Sequence, residues 1–130
     1  MRPVVHVFQL YTVGGEDSVS WHFISPNGRR LARCATPFDS PAAARAGIAD
    51  VLSGLAGSIT TVRPTAANRW RWVLAIGGTP VVLGSGDQDR RVRCEHAWRR
   101  FVLAAPLAVV DPTVHTFRRV DAGRPAQSLR

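Results

Sequence analysis

The run Cys94-Glu95-His96 sets a thiol, a carboxylate and an imidazole side by side, the groups of a nucleophile and its base. The flanking residues predict a helix, however, and adjacent side chains on an α-helix diverge by about 100°. Catalysis at this run is therefore disfavoured. Because the GxSxG, P-loop, HExxH and GxGxxG motifs are also absent from the sequence, we predict a non-catalytic chain with no catalytic or cofactor-binding residue.

The side chains that most often bind metals are scattered along the chain without metal-ligand spacing. They are His6, His22, His96, His115, Cys34 and Cys94. We predict no metal site and no cofactor, two reduced and buried thiols, and partly exposed neutral histidines at positions 6 and 22. Asp87 and Asp89 could recruit a cation, but two carboxylates in a polar loop are more often simply solvated.

Arginine is the remaining candidate for chemistry. The net charge is +8, and all 17 basic residues are arginine. Such a charge attracts nucleic acid and other polyanions, although an arginine-only composition rich in alanine, glycine, proline and valine also indicates coding bias in a GC-rich genome. We expect weak, nonspecific binding at most. The candidate anion contacts are Arg69, Arg71, Arg93, Arg99 and Arg100.

The first half of the chain predicts strands followed by a helix. Residues 4–13 favour a strand, and Val19, Trp21 and Phe23 alternate with polar residues as in a half-buried strand. Asn27-Gly28 predicts a hairpin with a primed turn. Ser40 and Pro41 form a helix start, and the apolar face that follows is Ala44, Ile48, Val51, Leu52 and Leu55.

The pattern then restarts. Trp70, Trp72 and Leu74 share one face of a predicted strand, Gly77-Gly78 turns the chain, and residues 92–105 predict a second helix. The chain is therefore predicted to be a tandem duplication of a strand–hairpin–helix unit with a shared core. In this reading Trp21 matches Trp72, Phe23 matches Leu74, the Asn-Gly turn matches the Gly-Gly turn, and Ile48 matches Phe101.

These features resemble the YegP-like family of small bacterial proteins. The resemblance is carried by "SWHFISPNGRRLARCATPFDSPAAARAGIADV" and "WRWVLAIGGTPVVLGS…RCEHAWRRFV", and it covers roughly residues 4 to 106. It implies tandem copies of an aromatic-rich strand, a turn, a second strand and a helix. Since the family has no established reaction, the resemblance implies a fold and no active site.

The predicted fold class is α+β, with an antiparallel sheet and two helices packed on it. We predict one domain over residues 1–120, made of repeats at about 4–56 and 58–106 and a last strand at 113–119. Residues 121–130 are predicted to be a flexible tail. No stretch approaches the twenty apolar residues of a membrane span, so we expect a cytoplasmic protein with no membrane contact.

Three functions stay open from the sequence. The first is a non-catalytic interaction module, with a protein partner or a second copy of itself bound through sheet edges. The second is sequence-nonspecific binding of nucleic acid or another polyanion by the arginine-rich faces. An enzyme of unknown type is the third and least favoured.

Overall fold

The computed structural model describes residues 5–118. Seven strands are present: β1 Val7–Val13, β2 Ser20–Ile24, β3 Arg30–Cys34, β4 Ile59–Pro64, β5 Trp70–Ile76, β6 Thr79–Gly84 and β7 Val109–Phe117. Two helices, α1 Pro41–Gly54 and α2 Arg91–Ala104, each continue into a 3₁₀ turn, at Leu55–Gly57 and Ala105–Leu107. The predicted tail lies outside the described residues, as do Val4 and the end of the predicted last strand.

The seven strands form one sheet in the order β4-β5-β6-β3-β2-β1-β7. Neighbouring strands are antiparallel except for β1 and β7, which are parallel. The fold is therefore α+β with a mixed sheet, and the prediction of a purely antiparallel sheet is wrong. The last strand begins at Val109 rather than at residue 113, because a parallel partner must return to the start of β1, where Val109 pairs with Val7.

We call residues 7–57 the first unit and residues 59–107 the second unit. The second unit runs through three strands, a 14-residue helix and a 3₁₀ turn in the same order as the first, and α2 begins 50 residues after α1. The units meet at β3 and β6. There the Ala35 N–H donates to the Val81 carbonyl, and the Ser85 N–H donates to the Leu31 carbonyl, at positions also related by that shift.

A shared element order does not by itself demonstrate a duplication, so the tandem duplication stays a prediction. Its test is superposition of residues 18–55 on 69–105. One matched pair is wrong in any case, because Phe101 is the eleventh residue of α2, and the eleventh residue of α1 is Val51 rather than Ile48.

The core lies on one face of the sheet, where both helices contribute their buried residues to a single apolar cluster. Phe101 of α2 joins the two units within it, since the Phe101 ring is 4.9 Å from that of Phe23 and 5.6 Å from that of Trp72. Alternation along each strand directs these side chains to the helix-covered face.

The two hairpin turns that the sequence predicts differ in type. Gly77 and Gly78 both have positive φ, 59° and 82°, so the two-residue primed turn lies between β5 and β6. At the predicted primed turn only Gly28 has positive φ, 85°, and Ser25–Arg29 forms a wider turn with a register shift in β2. The predicted hairpin is confirmed there, but its predicted turn type is wrong.

Candidate basic cleft

A cleft of about 510 Å³ opens between α2, the start of β3 and the loop after β6. Four of its lining residues are arginines and none is acidic. The volume is within the range of about 300–1,000 Å³ that is common for small-molecule sites. The lining residues are Arg29, Arg30, Leu31, Trp70, Trp72, Ser85, Gly86, Gln88, Val92, Arg93, Cys94, His96, Ala97 and Arg100.

The pairing of β3 with β6 creates this cleft. Arg29 and Arg30 follow the β2–β3 turn in the first unit, and the register that sets Ala32 opposite Gly84 brings them beside the second unit. Arg93 and Arg100 come from α2, seven residues and about two helical turns apart. Arginines from distant parts of the chain thereby line one concave surface.

Three of these four arginines form no ion pair among the described residues. Arg30 is one of them, and its guanidinium lies 5.4 Å from the Phe117 ring centre. Within residues 5–118, neither Arg29 nor Arg100 forms an ion pair. Arg93 is partly neutralised by Asp89, at 3.5 Å between Nε and Oδ1. Like charges held close together without a counterion favour binding of an anion.

Two shallower hollows continue the cleft along the surface. Arg100 lines both of them as well as the cleft, so the basic surface is longer than the cleft itself. The first hollow is lined by His96, Arg99, Arg100, Leu103 and Ala104. The second is lined by His6, Ser25, Pro26, Asn27, Arg29, Leu31 and Arg100.

Some of the predicted anion contacts lie on this basic surface, and the others form ion pairs with an acidic loop residue. Arg93, Arg99 and Arg100 lie on the cleft or its continuation, where the Arg99 guanidinium lies 5.3 Å from the Trp98 ring centre. Arg69 and Arg71 both pair with Asp87 instead, at 2.9 and 3.6 Å. The loop carboxylates Asp87 and Asp89 thus serve as partners of arginines.

Sequence reasoning misses Arg29 and Arg30 as site residues. The adjacent arginines of "SPNGRR" are visible, but the local pattern indicates only a turn. Nothing in that stretch indicates that β3 pairs with β6, so the approach of the two arginines to α2 cannot be derived from their spacing.

Two tryptophans supply the apolar wall of the cleft. Trp72 is buried at 3% exposure and Trp70 is half-buried, with the Arg91 guanidinium 5.6 Å from the Trp70 ring centre. Gly84 provides the space for Trp72, since a Cβ at position 84 would lie only 2.8 Å from Trp72 Cε2. The cleft therefore combines aromatic surface with positive charge.

The equivalent surface of the first unit lacks this positive charge, and an aromatic ring of the protein lies on it. Gln88 of the cleft corresponds to Phe38, and Ala97 corresponds to Gly47. The Phe38 ring lies directly over Gly47, where even a methyl group would overlap it. By the shift of 50 residues, Arg29, Arg30, Arg93, His96 and Arg100 correspond to Thr79, Pro80, Ala43, Ala46 and Asp50.

The Cys94-Glu95-His96 run does not form a catalytic pair. Cys94 is fully buried, and its burial, with the nearby Glu95 charge, raises the pKa of its thiol. Glu95 pairs with Arg91 at 3.2 Å, and His96 is exposed. Cys34 and Cys94 are both free, buried thiols as predicted, and no cluster of metal-binding side chains occurs among residues 5–118.

A second polar group includes residues of β1, β2 and β7. His22 stacks on Tyr11 at 4.7 Å, and its Nε2–H donates to Gln9 Oε1 at 2.6 Å. The Gln9 amide in turn donates to Nε2 of His115 at 3.2 Å, and the Phe117 ring lies 6.0 Å from that of His22. His22 is only 3% exposed, so the prediction of a partly exposed histidine is wrong at this position.

Burial is the main reason that the pKa of His22 falls to about 4, with smaller contributions from the charges of Arg30 and His115. The Thr113 N–H that donates to Asp111 lowers the pKa of that carboxyl. Rings from β1 and β7 bury His22, and this arrangement cannot be derived from β2 alone.

The mixed seven-stranded sheet with two helices defines the class of fold, and two solved structures share it. One is protein YegP of unknown function from E. coli, at a TM-score of 0.66 and 15% identity over 92% of this chain and 98% of that chain. The other is a UPF0339 protein from Shewanella oneidensis, at 0.61 and 9% over 88% and 91%. The resemblance to YegP-like proteins is confirmed for the fold, and neither structure provides an activity.

No family model and no curated protein matches the sequence. Among residues 5–118 no helix is long and apolar enough to cross a membrane.

Proposed function

We propose that the chain binds nucleic acid without sequence specificity through the basic cleft and its continuation. The observation that carries the proposal is the asymmetry between the units, since α2 has four arginines where α1 has one. Coding bias acts on both helices alike, so it does not explain why the arginines concentrate on one of them. This favours the second of the functions left open by the sequence.

The extended shape of the surface favours a linear polyanion. Arg29, Arg93, Arg99 and Arg100 line three adjoining spaces along it. Four phosphate contacts on a single strand give a slope of log affinity against log salt near −2.8, at about −0.7 per contact. Binding through so few contacts is strong only at low salt.

The test measures fluorescence anisotropy of a labelled single-stranded oligonucleotide over a series of salt concentrations. Replacing Arg29 and Arg100 with alanine should weaken binding roughly tenfold or more and reduce the slope by about 1.4, the share of two contacts. The matched control replaces Arg33 and Arg45, two exposed arginines that do not line the cleft, and changes the net charge equally. Equal losses in both double variants would contradict the proposal.

Self-association through sheet edges is a second candidate, favoured by one observation. Ile59, at the start of edge strand β4, is 71% exposed. Sedimentation at increasing protein concentration, with Ile59→Lys as the comparison, tests it independently of nucleic acid. A monomer at every concentration would rule this function out.

A further inference from the structure

We infer that the cleft of the second unit holds one unstacked nucleobase, with its phosphates on the surrounding arginines. This inference rests on the proposed function and names the part of the ligand that enters the cleft. It also predicts that single-stranded nucleic acid is bound in preference to a duplex, whose bases are stacked and paired.

The first unit shows how a ring fits at this place. Phe38 and Gln88 hold equivalent backbone positions, because Phe38 exchanges two hydrogen bonds with Val19, at 2.7 and 2.8 Å, and Gln88 exchanges two with Trp70, both at 2.8 Å. In the first unit the Phe38 ring packs on the core and lies against Gly47. At the positions equivalent to Phe38 and Gly47 the second unit has Gln88 and Ala97, which both line the cleft, and Trp70 stands opposite Gln88 where the first unit has Val19.

In the second unit the cleft beside Gln88 is the space that the inference assigns to a ligand. Gln88 replaces the ring with an amide that lines the cleft, and Ala97 stands where Gly47 makes room for Phe38. An amide can donate to and accept from the edge of a base. Every base has a flat face, so stacking on aromatic side chains tolerates any sequence.

The walls of the cleft suit a base and its phosphates together. The half-buried Trp70 offers aromatic surface beside the buried Trp72, and Val92 adds an apolar contact. Arg29 and Arg100 line the same cleft and form no ion pair within residues 5–118. Removing a planar ring from water while its phosphate stays among guanidinium groups combines the two interactions that hold single strands on proteins.

The experiment compares a short oligodeoxythymidylate with an abasic chain of the same number of phosphates. The wild-type protein should bind the base-bearing strand about tenfold more tightly, and only that strand should quench the tryptophan fluorescence. Equal affinity for the two strands would overturn the inference and leave the proposed function intact. Failure to bind either strand would overturn both.

A double variant locates the base. Gln88→Phe with Ala97→Gly gives these two positions the residues of the first unit and places an added ring at the wall of the cleft. We expect its affinity for the base-bearing strand to fall about tenfold to that of the abasic strand, while the abasic affinity changes less than about twofold. A retained preference for the base-bearing strand would place the base elsewhere and overturn the inference.

Two controls keep the result interpretable. Ala97→Gly alone leaves the cleft open and should keep the preference for the base-bearing strand. If the double variant is unfolded by circular dichroism, Trp70→Leu replaces it, since that change removes aromatic surface without adding a ring to the cleft. Trp70→Leu should likewise lose the preference for the base-bearing strand, and an unchanged preference would overturn the inference.

Discussion

The two units share one order of elements but differ in the side chains on the surface beside each helix. Each presents three strands and one 14-residue helix, yet α1 is built largely from alanine and other small or apolar residues and α2 carries four arginines. The first unit fills its own space with Phe38, whereas the second leaves a basic cleft. One scaffold thus accommodates both a closed core and an open site, and the side chains of a few positions decide which.

The difference extends to how each unit starts its helix. The Ser40 hydroxyl accepts from the Ala43 N–H at the start of α1, whereas Arg90 holds the equivalent position before α2 and makes no such side-chain contact. A side-chain cap contributes about 1 kcal/mol. The second unit therefore lacks a stabilising side-chain contact at the N-terminus of α2, beside the cleft.

The largest expected effect comes from removing the Phe101 ring, which joins the two units within the core. Phe101→Ala should lower the free energy of unfolding by about 3–5 kcal/mol, because it removes the ring that packs on Phe8, Phe23 and Trp72. Val51→Ala, at the equivalent position of α1, should cost about 2 kcal/mol. Urea unfolding followed by circular dichroism measures both, and an equal loss in the two variants would contradict a special role for Phe101.

The same measurement tests the prediction of one domain. If the units share a core, Phe101→Ala should keep a single unfolding transition, coincident by circular dichroism and by tryptophan fluorescence. Two separate transitions would show that the units fold independently.

The second prediction concerns His22. When Trp21 is matched to Trp72, the residue of β5 that corresponds to His22 is the apolar Val73. The folded pKa of His22, about 4, lies below the usual value of 6.5, so the folded state binds its proton more weakly than the unfolded state. Protonation of His22 therefore favours the unfolded state. Its contribution leaves the free energy of unfolding unchanged above pH 6.5 and lowers it as the pH falls towards 4. The loss should be on the order of 3 kcal/mol.

His22→Gln should flatten this pH dependence, as measured by urea unfolding between about pH 7 and pH 4. His96→Gln provides the control, because His96 is an exposed residue of α2. A stability profile that is equally steep in His22→Gln would assign the acid sensitivity to other groups.

Much of the fold follows from the sequence because its signals are local. The alternation around Trp21 and Trp72, the start of α1 at Ser40 and Pro41, and the turn at Gly77-Gly78 each depend on a few adjacent residues. Two strand pairings cannot be predicted in this way, because each joins strands that are far apart in the chain. They are the parallel pairing of β7 with β1 and the pairing of β3 with β6.

The same distinction applies to the site. The α2 arginines are predictable because they share one element, whereas Arg29 and Arg30 reach the cleft only through the central strand pair. The correspondence between Phe38 and Gln88 cannot be predicted from the sequence either. It is recognised from the backbone hydrogen bonds that each residue makes in the folded protein, and no local sequence pattern indicates those bonds.

The smallest expected effect concerns Gly84, which corresponds to Cys34 in the first unit. There the backbone N–H of Trp21 donates to Cys34 Sγ at 3.3 Å, so the first unit accommodates a side chain beside its tryptophan. In the second unit a Cβ at position 84 would lie 2.8 Å from Trp72 Cε2. Gly84→Ala must displace the indole, and we expect it to cost about 1–3 kcal/mol of stability.

The displaced Trp72 also lines the cleft, so this substitution links stability to binding. Gly84→Ala should weaken binding of the base-bearing oligonucleotide while leaving the abasic strand bound as before, because the arginines do not move with the indole. Cys34→Ala, at the equivalent position, should change neither affinity. Urea unfolding and anisotropy on the same samples separate the two effects, and an unchanged base preference in a destabilised Gly84→Ala protein would show that Trp72 contributes to the core alone.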